Sequence, residues 1–169
     1  ITNRHVIDGA QAIQILLSDG RRATAMVVGA DNETDLALLK TDLTGLSAIE
    51  TADSDNMNVG DIVLAIGNPF GFGHSVSLGI VSGLERYGLQ LSAYENYIQT
   101  DATIHLGSSG GALIDAEGKL VGINTLIYTG ANDDTNEASG IGINLATPSN
   151  VVTTVCLLYT SDAADEWLR

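Results

Sequence analysis

Apolar residues recur along the chain in short runs broken by glycine, asparagine and aspartate, the punctuation of a turn-rich β protein. Ile13-Gln14-Ile15-Leu16-Leu17 runs into Ser18-Asp19-Gly20-Arg21, which predicts a strand and then a turn. Further strands are predicted over 23–28, ended by Gly29, and over 36–40, entered through Asp31-Asn32-Glu33-Thr34-Asp35. Residues 61–67 read as a buried strand stopped by Asn68-Pro69-Phe70-Gly71. Over 75–84, Val76, Leu78, Ile80 and Leu84 fall on alternate positions, with Val81 out of step. Downstream come Ala112-Leu113-Ile114, the turn Asp115-Ala116-Glu117-Gly118, a strand over 120–127, a polar loop over 129–139 and a last strand over 141–146. Only the segment after Pro148 reads as helical, with Ser149 as its N-cap. Short strands at this spacing predict an all-β barrel or sandwich. A composition shift at Glu50-Thr51-Ala52-Asp53-Ser54 divides the chain into a lobe of about 1–50 and a lobe of about 55–150.

Composition narrows the picture. With 169 residues, 44% apolar, 19 glycines and 2 prolines, the chain has enough material for a real core. Its 21 acidic and 7 basic residues leave a net charge of −14, which argues against nucleic acid or anionic membrane as partners. Cys156 is the single cysteine, so neither an internal disulfide nor a thiolate zinc cage can form, and no cofactor or metal is expected. Ile1-Thr2-Asn3 reads as the middle of a strand, and no signal peptide opens the chain, so a fragment is expected.

The chemistry gathers around Gly107-Ser108-Ser109-Gly110-Gly111. A serine between glycines suits a nucleophile on a tight turn, because glycine permits positive φ and successive N–H groups can converge on a developing oxyanion. In isolation it is also an ordinary loop between strands. A serine needs a base, and the histidines are His5, His74 and His105. His74 lies in a Gly-rich turn, and His105 is close enough in sequence to shape the loop wall. His5 follows a hydrophobic segment, and Asp35 stands at the mouth of the apolar strand 36–40, where it would accept the Nδ1 proton of His5. The order His, Asp, Ser is that of chymotrypsin-type proteases. The division near residue 50 would put His5 and Asp35 on one lobe and Ser109 on the other, with a cleft between.

Thr2-Asn3-Arg4-His5-Val6, Thr34-Asp35-Leu36-Ala37-Leu38, Ile98-Gln99-Thr100-Asp101-Ala102 and Gly107-Ser108-Ser109-Gly110-Gly111-Ala112-Leu113 together resemble the HtrA/Deg serine endopeptidases. Ala65-Ile66-Gly67-Asn68-Pro69-Phe70-Gly71, Gly79-Ile80-Val81-Ser82, Val121-Gly122-Ile123-Asn124-Thr125 and Pro148-Ser149-Asn150 extend the resemblance to about Val152. It implies a chymotrypsin-like double β-barrel, here with the first barrel incomplete at its N-terminus, and a trypsin-like protease domain over 1–152. It implies His5 as general base, Asp35 as its orienter, Ser109 as nucleophile, and an oxyanion hole from the backbone of Gly107, Ser108 and Ser109. Arg86 matches the family's regulatory loop arginine, and Ile143 and Leu145 are expected in an apolar substrate pocket. The implied substrates are unfolded or misfolded polypeptides, cleaved in protein quality control outside the cytoplasm of a bacterium. The implied whole protein is a trimer or larger, with a PDZ domain.

The pattern departs from the family at Ser108, where asparagine is usual, at His105 and Leu106, and at Thr147, where an aliphatic residue is usual. These departures leave room for a rival, a protease-like fold that binds unfolded polypeptide without cleaving it. An unrelated β-sandwich binding module would require every ordered motif to be accidental. Residues 153–169 form a tail with two readings: translated sequencing-adapter DNA, or a genuine helix burying Val155, Leu158 and Trp167.

Overall fold

The computed structural model describes residues 1–69, 73–89, 91–128 and 143–166. Phe70, Gly71, Phe72, the polar loop expected over 129–139, the Ile141 start of the last strand and Trp167 lie outside them. The first lobe is a four-stranded antiparallel sheet in the order β1 (Thr2–Asn3), β4 (Leu36–Thr41), β3 (Arg22–Asp31), β2 (Ile13–Leu16). A one-turn helix, α1 (Arg4–Ile7), leaves β1. The second lobe is a closed six-stranded barrel in the order β10, β7, β6, β5, β8, β9. Its strands are β5 (Ile62–Gly67), β6 (Ser75–Arg86), β7 (Tyr97–Thr100), β8 (Ala112–Asp115), β9 (Leu120–Tyr128) and β10 (Ile143–Pro148).

The barrel closes on one apolar cluster, with Val63, Val81, Ile98, Leu113 and Val121 among its buried members. In β6 the structure inverts the simplest reading of the alternation. Val76, Leu78 and Ile80 point outward, Leu78 with 70% of its surface exposed, while the out-of-step Val81 is fully buried. The inner face of β6 is the other parity, Ser75, Ser77, Gly79 and Val81, each less exposed than its neighbours, and the register shift against β7 begins only beyond Val81. Strand β7 itself has no clear periodic signature: Tyr97, Ile98 and Thr100 are all buried.

Helix α2 (Ser149–Glu166) packs Val152 and Val155 against Leu36 of β4 and Leu120 and Ile123 of β9. It therefore joins the two lobes through a second apolar cluster. Ser149 does not act as the expected side-chain N-cap: its hydroxyl donates to the Ala52 carbonyl at 2.7 Å. The next residue completes the docking. Asn150 Nδ2 donates to Asp53 Oδ1 at 2.7 Å, and this bond is the main cause holding the Asp53 carboxyl below its ordinary value. Of the tail residues expected to be buried, Val155 is buried and Leu158 is mostly exposed.

Candidate active site

The antiparallel register of β1 on β4 decides where His5 goes. Thr2 lies opposite Ala37 and Asn3 opposite Leu36, so the chain leaving β1 runs directly beside Asp35. The Arg4 N–H donates to the Asp35 carbonyl at 2.8 Å, and α1 then turns the His5 ring onto the carboxylate. Asp35 Oδ1 accepts the His5 backbone N–H at 2.9 Å, and Oδ2 lies 2.5 Å from His5 Nδ1. The carboxylate thus orients both the backbone and the ring of the histidine. Asp35 holds φ +57°, a left-handed conformation that few residues other than glycine adopt and that aspartate tolerates better than most. Its side chain is 18% exposed against 45% for His5, so the acid is sheltered and the base faces solvent.

Ser109 arrives from the other lobe on two successive turns. Ser108 N–H donates to the His105 carbonyl at 2.9 Å and Gly111 N–H to the Ser108 carbonyl at 3.0 Å. Gly107 at φ +89° and Gly110 at φ +81° occupy the third position of each turn, the position where a type II turn requires positive φ. The loop is then pinned to β9: Gly110 N–H donates to the Asn124 carbonyl at 2.8 Å, and Asn124 N–H to the Gly111 carbonyl at 2.9 Å. The buried Asn124 side chain adds bonds from Nδ2 to the carbonyls of Ile66 at 3.0 Å and Ala112 at 3.1 Å. The packing leaves no spare room. A Cβ at Gly111 would collide with the Ile66 carbonyl oxygen, which belongs to the backbone of β5 and cannot turn aside. Gly111→Ala is therefore expected to destabilise the domain by about 2–4 kcal/mol, read as a lower urea midpoint at unchanged slope.

The Ser109 hydroxyl donates to the Thr125 carbonyl at 3.0 Å, and among the described residues it has no hydrogen bond to His5. The structure therefore joins Asp35 to His5 but not His5 to Ser109. The Ser108 N–H is consumed by its turn, whereas among the described residues the Gly107 and Ser109 N–H groups have no internal acceptor. Those two amides are free to receive an oxyanion.

A pocket of about 390 Å³ opens beside the Asp35–His5 pair, lined by His5, Asp35, Leu91, Ser92, Tyr97 and Leu126 among others. Its outer wall is the connection between β6 and β7. Glu95 organises that wall by accepting the N–H groups of Leu91 at 2.6 Å, Leu89 at 2.7 Å and Ser92 at 3.5 Å. Desolvation pushes the Glu95 carboxyl up, but the combined backbone hydrogen bonds outweigh it and leave its pKa lowered. A carboxylate with a lowered folded-state pKa stabilises its surroundings above the ordinary carboxylate range and loses that contribution as pH falls. The wall is therefore expected to loosen below about pH 4. Glu95→Gln should remove this acid dependence, read as amide exchange at Leu89 and Leu91 between pH 3 and 6. Behind the wall, burial raises the Tyr97 pKa, and its hydroxyl lies 2.8 Å from Ser92 Oγ.

The remaining sequence candidates are placed as follows. Arg86 Nε donates to Gln99 Oε1 at 2.8 Å, and the guanidinium covers Gly83. Leu145 is fully buried, whereas Ile143 is 39% exposed. Neither His74 nor His105 has a side-chain hydrogen bond among the described residues, although the His105 carbonyl anchors the first turn of the nucleophile loop. Among the described residues no cluster of His, Cys, Asp or Glu has metal-holding geometry. A larger cavity of about 630 Å³ lies between α2 and the β3–β4 turn, lined by none of His5, Asp35 and Ser109. Sequence reading overlooked Asn3, Asn124 and Thr125, all fully or almost fully buried polar residues of the site. The signal available was polar residues inside otherwise apolar or strand-forming runs.

A four-stranded sheet carrying an Asp–His pair, beside a closed barrel carrying a serine on a glycine turn, fits a trypsin-like serine peptidase domain. Residues 1–123 match the family model of the trypsin-like peptidase domain, and the chain belongs to that family. It is 52% identical over 153 residues to the periplasmic serine endoprotease DegP of Salmonella typhimurium, covering 90% of this chain and 31% of that protein. To the periplasmic pH-dependent serine endoprotease DegQ of Escherichia coli it is 47% identical over 156 residues, covering 92% of this chain and 33% of that protein. Among solved structures, the HtrA-type protease AlgW with a decapeptide superposes with a TM-score of 0.87 at 47% identity. That match covers 95% of this chain and 47% of the AlgW chain. The chain thus spans about a third of the length of the curated relatives it matches.

Proposed function

We propose that this chain is the proteolytic domain of an HtrA/Deg-type serine endopeptidase that cleaves unfolded polypeptides. The observation that carries the reading is the Asp35 Oδ2–His5 Nδ1 contact of 2.5 Å on one lobe, with the serine turn on the other. With Nδ1 held by Asp35, Nε2 is the ring nitrogen left to act as base. The Ser109 hydroxyl leaves the Thr125 carbonyl, gives its proton to His5 and attacks the peptide carbonyl. The Gly107 and Ser109 amides receive the resulting oxyanion. The proton passes from His5 to the leaving amine, and water then hydrolyses the acyl-enzyme by the same route in reverse roles.

The pocket beside His5 presents Leu91, Leu126 and Tyr97, consistent with extended apolar segments of the kind unfolded chains expose. Ile143 and Leu145 do not line that pocket, and Ile143 is the one of the two with exposed surface to offer such a segment; the Arg86 bond to Gln99, from the end of β6 to β7, supports a regulatory role for Arg86. By its relatives, named as periplasmic endoproteases, the whole protein would work in quality control outside the cytoplasm. It would assemble as a trimer or larger with a PDZ domain. A fluorophosphonate probe should label the chain at Ser109, mapped by peptide mass spectrometry. A folded chain that resists the probe would overturn the proposal. The bond from Ser109 to Thr125 rather than to His5 favours a second reading, a domain that binds unfolded polypeptide without cutting it. Binding of reduced, carboxymethylated casein with no cleavage would select that reading.

A further inference from the structure

We infer that Asn3 is a positioning residue for the proteolytic reaction, coupling the acid–base lobe to the nucleophile lobe through its side-chain amide. Asn3 has no exposed surface. Its Nδ2 donates to the Asp35 carbonyl at 3.1 Å, beside the Arg4 N–H that donates to the same oxygen. Two donors on one carbonyl hold the peptide plane that follows Asp35, a residue in the left-handed region, and so restrain the backbone that carries its carboxylate.

The same Nδ2 also reaches Thr125 Oγ1 at 3.4 Å, across to β9 of the barrel. Thr125 is fixed in turn. Its hydroxyl donates to the Ile123 carbonyl at 2.9 Å and lies 2.8 Å from Thr147 Oγ1, while its carbonyl accepts the Ser109 hydroxyl. Two residues after Asn3 comes His5 itself. One buried amide therefore touches the residue that orients the base and the residue that holds the nucleophile. Proteolysis needs these two halves in register, because misplacement of about 1 Å can cost roughly a hundredfold in rate.

The other end of the side chain separates this role from plain structural support. Asn3 Oδ1 is buried with no hydrogen-bond partner, and a buried polar atom left unpaired is destabilising. Alanine removes Nδ2 and the unpaired Oδ1 together and adds no bulk to this fully buried position. The Asp35 carbonyl then keeps the Arg4 N–H, and the Thr125 hydroxyl keeps Ile123 and Thr147, so no other polar group loses its last partner.

The inference rests on the proteolytic reading of the site, and Asn3→Ala tests it. The variant is expected to keep a cooperative urea transition, yet to react with a fluorophosphonate at least tenfold more slowly than the wild type. The far-downfield His5 Nδ1 proton, seen by NMR with ¹⁵N-labelled histidine, should be lost or displaced. Thr125→Val should slow labelling but leave that proton in place, because the Asp35 bond of Asn3 survives. If wild type and Asn3→Ala are labelled equally fast, the inference fails while the peptidase reading stands. If the wild type itself is not labelled, the peptidase reading fails and the inference falls with it. Should Asn3→Ala lose its fold, Thr125→Val carries the test: labelling as fast as the wild type overturns the inference.

Discussion

Replacing Ser109 with alanine is expected to lower kcat for peptide hydrolysis by about six orders of magnitude, because the acyl-enzyme route vanishes with the nucleophile. Stability should change little. The lost bond is the one from Oγ to the Thr125 carbonyl, and a neutral hydrogen bond of this kind contributes about 0.5–1.5 kcal/mol. Binding of unfolded polypeptide should persist, since the pocket beside His5 does not include Ser109 among its lining residues. The neighbouring serine supplies the control. Ser108 is buried, packs against Gly67 and spends its N–H on the His105 carbonyl, so its hydroxyl is not free to attack. Ser108→Ala should retain activity within about tenfold, a difference of roughly 1.4 kcal/mol at the transition state. Fluorogenic peptide turnover with active-site titration measures both variants. Activity surviving in Ser109→Ala but lost in Ser108→Ala would reassign the nucleophile.

The three residues proposed as a triad each sit in a local context that means something alone: a polar break after a strand, a carboxylate before an apolar run, a serine among glycines. What joins them was not legible, because it depends on register. Nothing in the local sequence says that Asn3 faces Leu36, yet that pairing places His5 beside Asp35. The left-handed φ of Asp35, and the two donors that meet on its carbonyl, one of them a side chain from 32 residues away, are likewise visible only in the folded chain. In β6, alternation was visible in the chain, but Val76, Leu78 and Ile80 lie on its outer half, and Val81 shares the inner half with the small residues Ser75, Ser77 and Gly79. Strand β7 escaped attention because a short strand carrying Tyr97, Ile98 and Thr100, all buried, lacks the period of two that marks a half-exposed strand. Buried polar residues are the hardest class to foresee. Asn124 reads as an interruption of an apolar strand, and only the folded loop shows that its Nδ2 ties together the carbonyls of Ile66 and Ala112.

Asp35→Asn is expected to lower kcat by about four orders of magnitude while leaving the fold intact. Asparagine suits this position better than alanine as a probe, because it also tolerates the left-handed φ of +57° that alanine would resist. The carboxylate accepts two protons' worth of hydrogen bonds, from the His5 backbone N–H and from His5 Nδ1, on its two oxygens. An amide has one oxygen to offer. If that oxygen keeps the backbone N–H, the NH₂ group faces Nδ1 and makes it an acceptor, which moves the ring proton to Nε2. A ring protonated at Nε2 cannot take the Ser109 proton. If the amide flips, the ring is served but the backbone of α1 loses its anchor, and no negative charge remains to stabilise the imidazolium in either orientation. Both arrangements disable the base without emptying the site, so KM for a peptide substrate should change by less than kcat. Raising pH should recover part of the rate, because deprotonation of Ser109 by hydroxide bypasses the ring. A drop of less than about tenfold in kcat would mean that Asp35 holds up the local fold and has little part in the proton transfer.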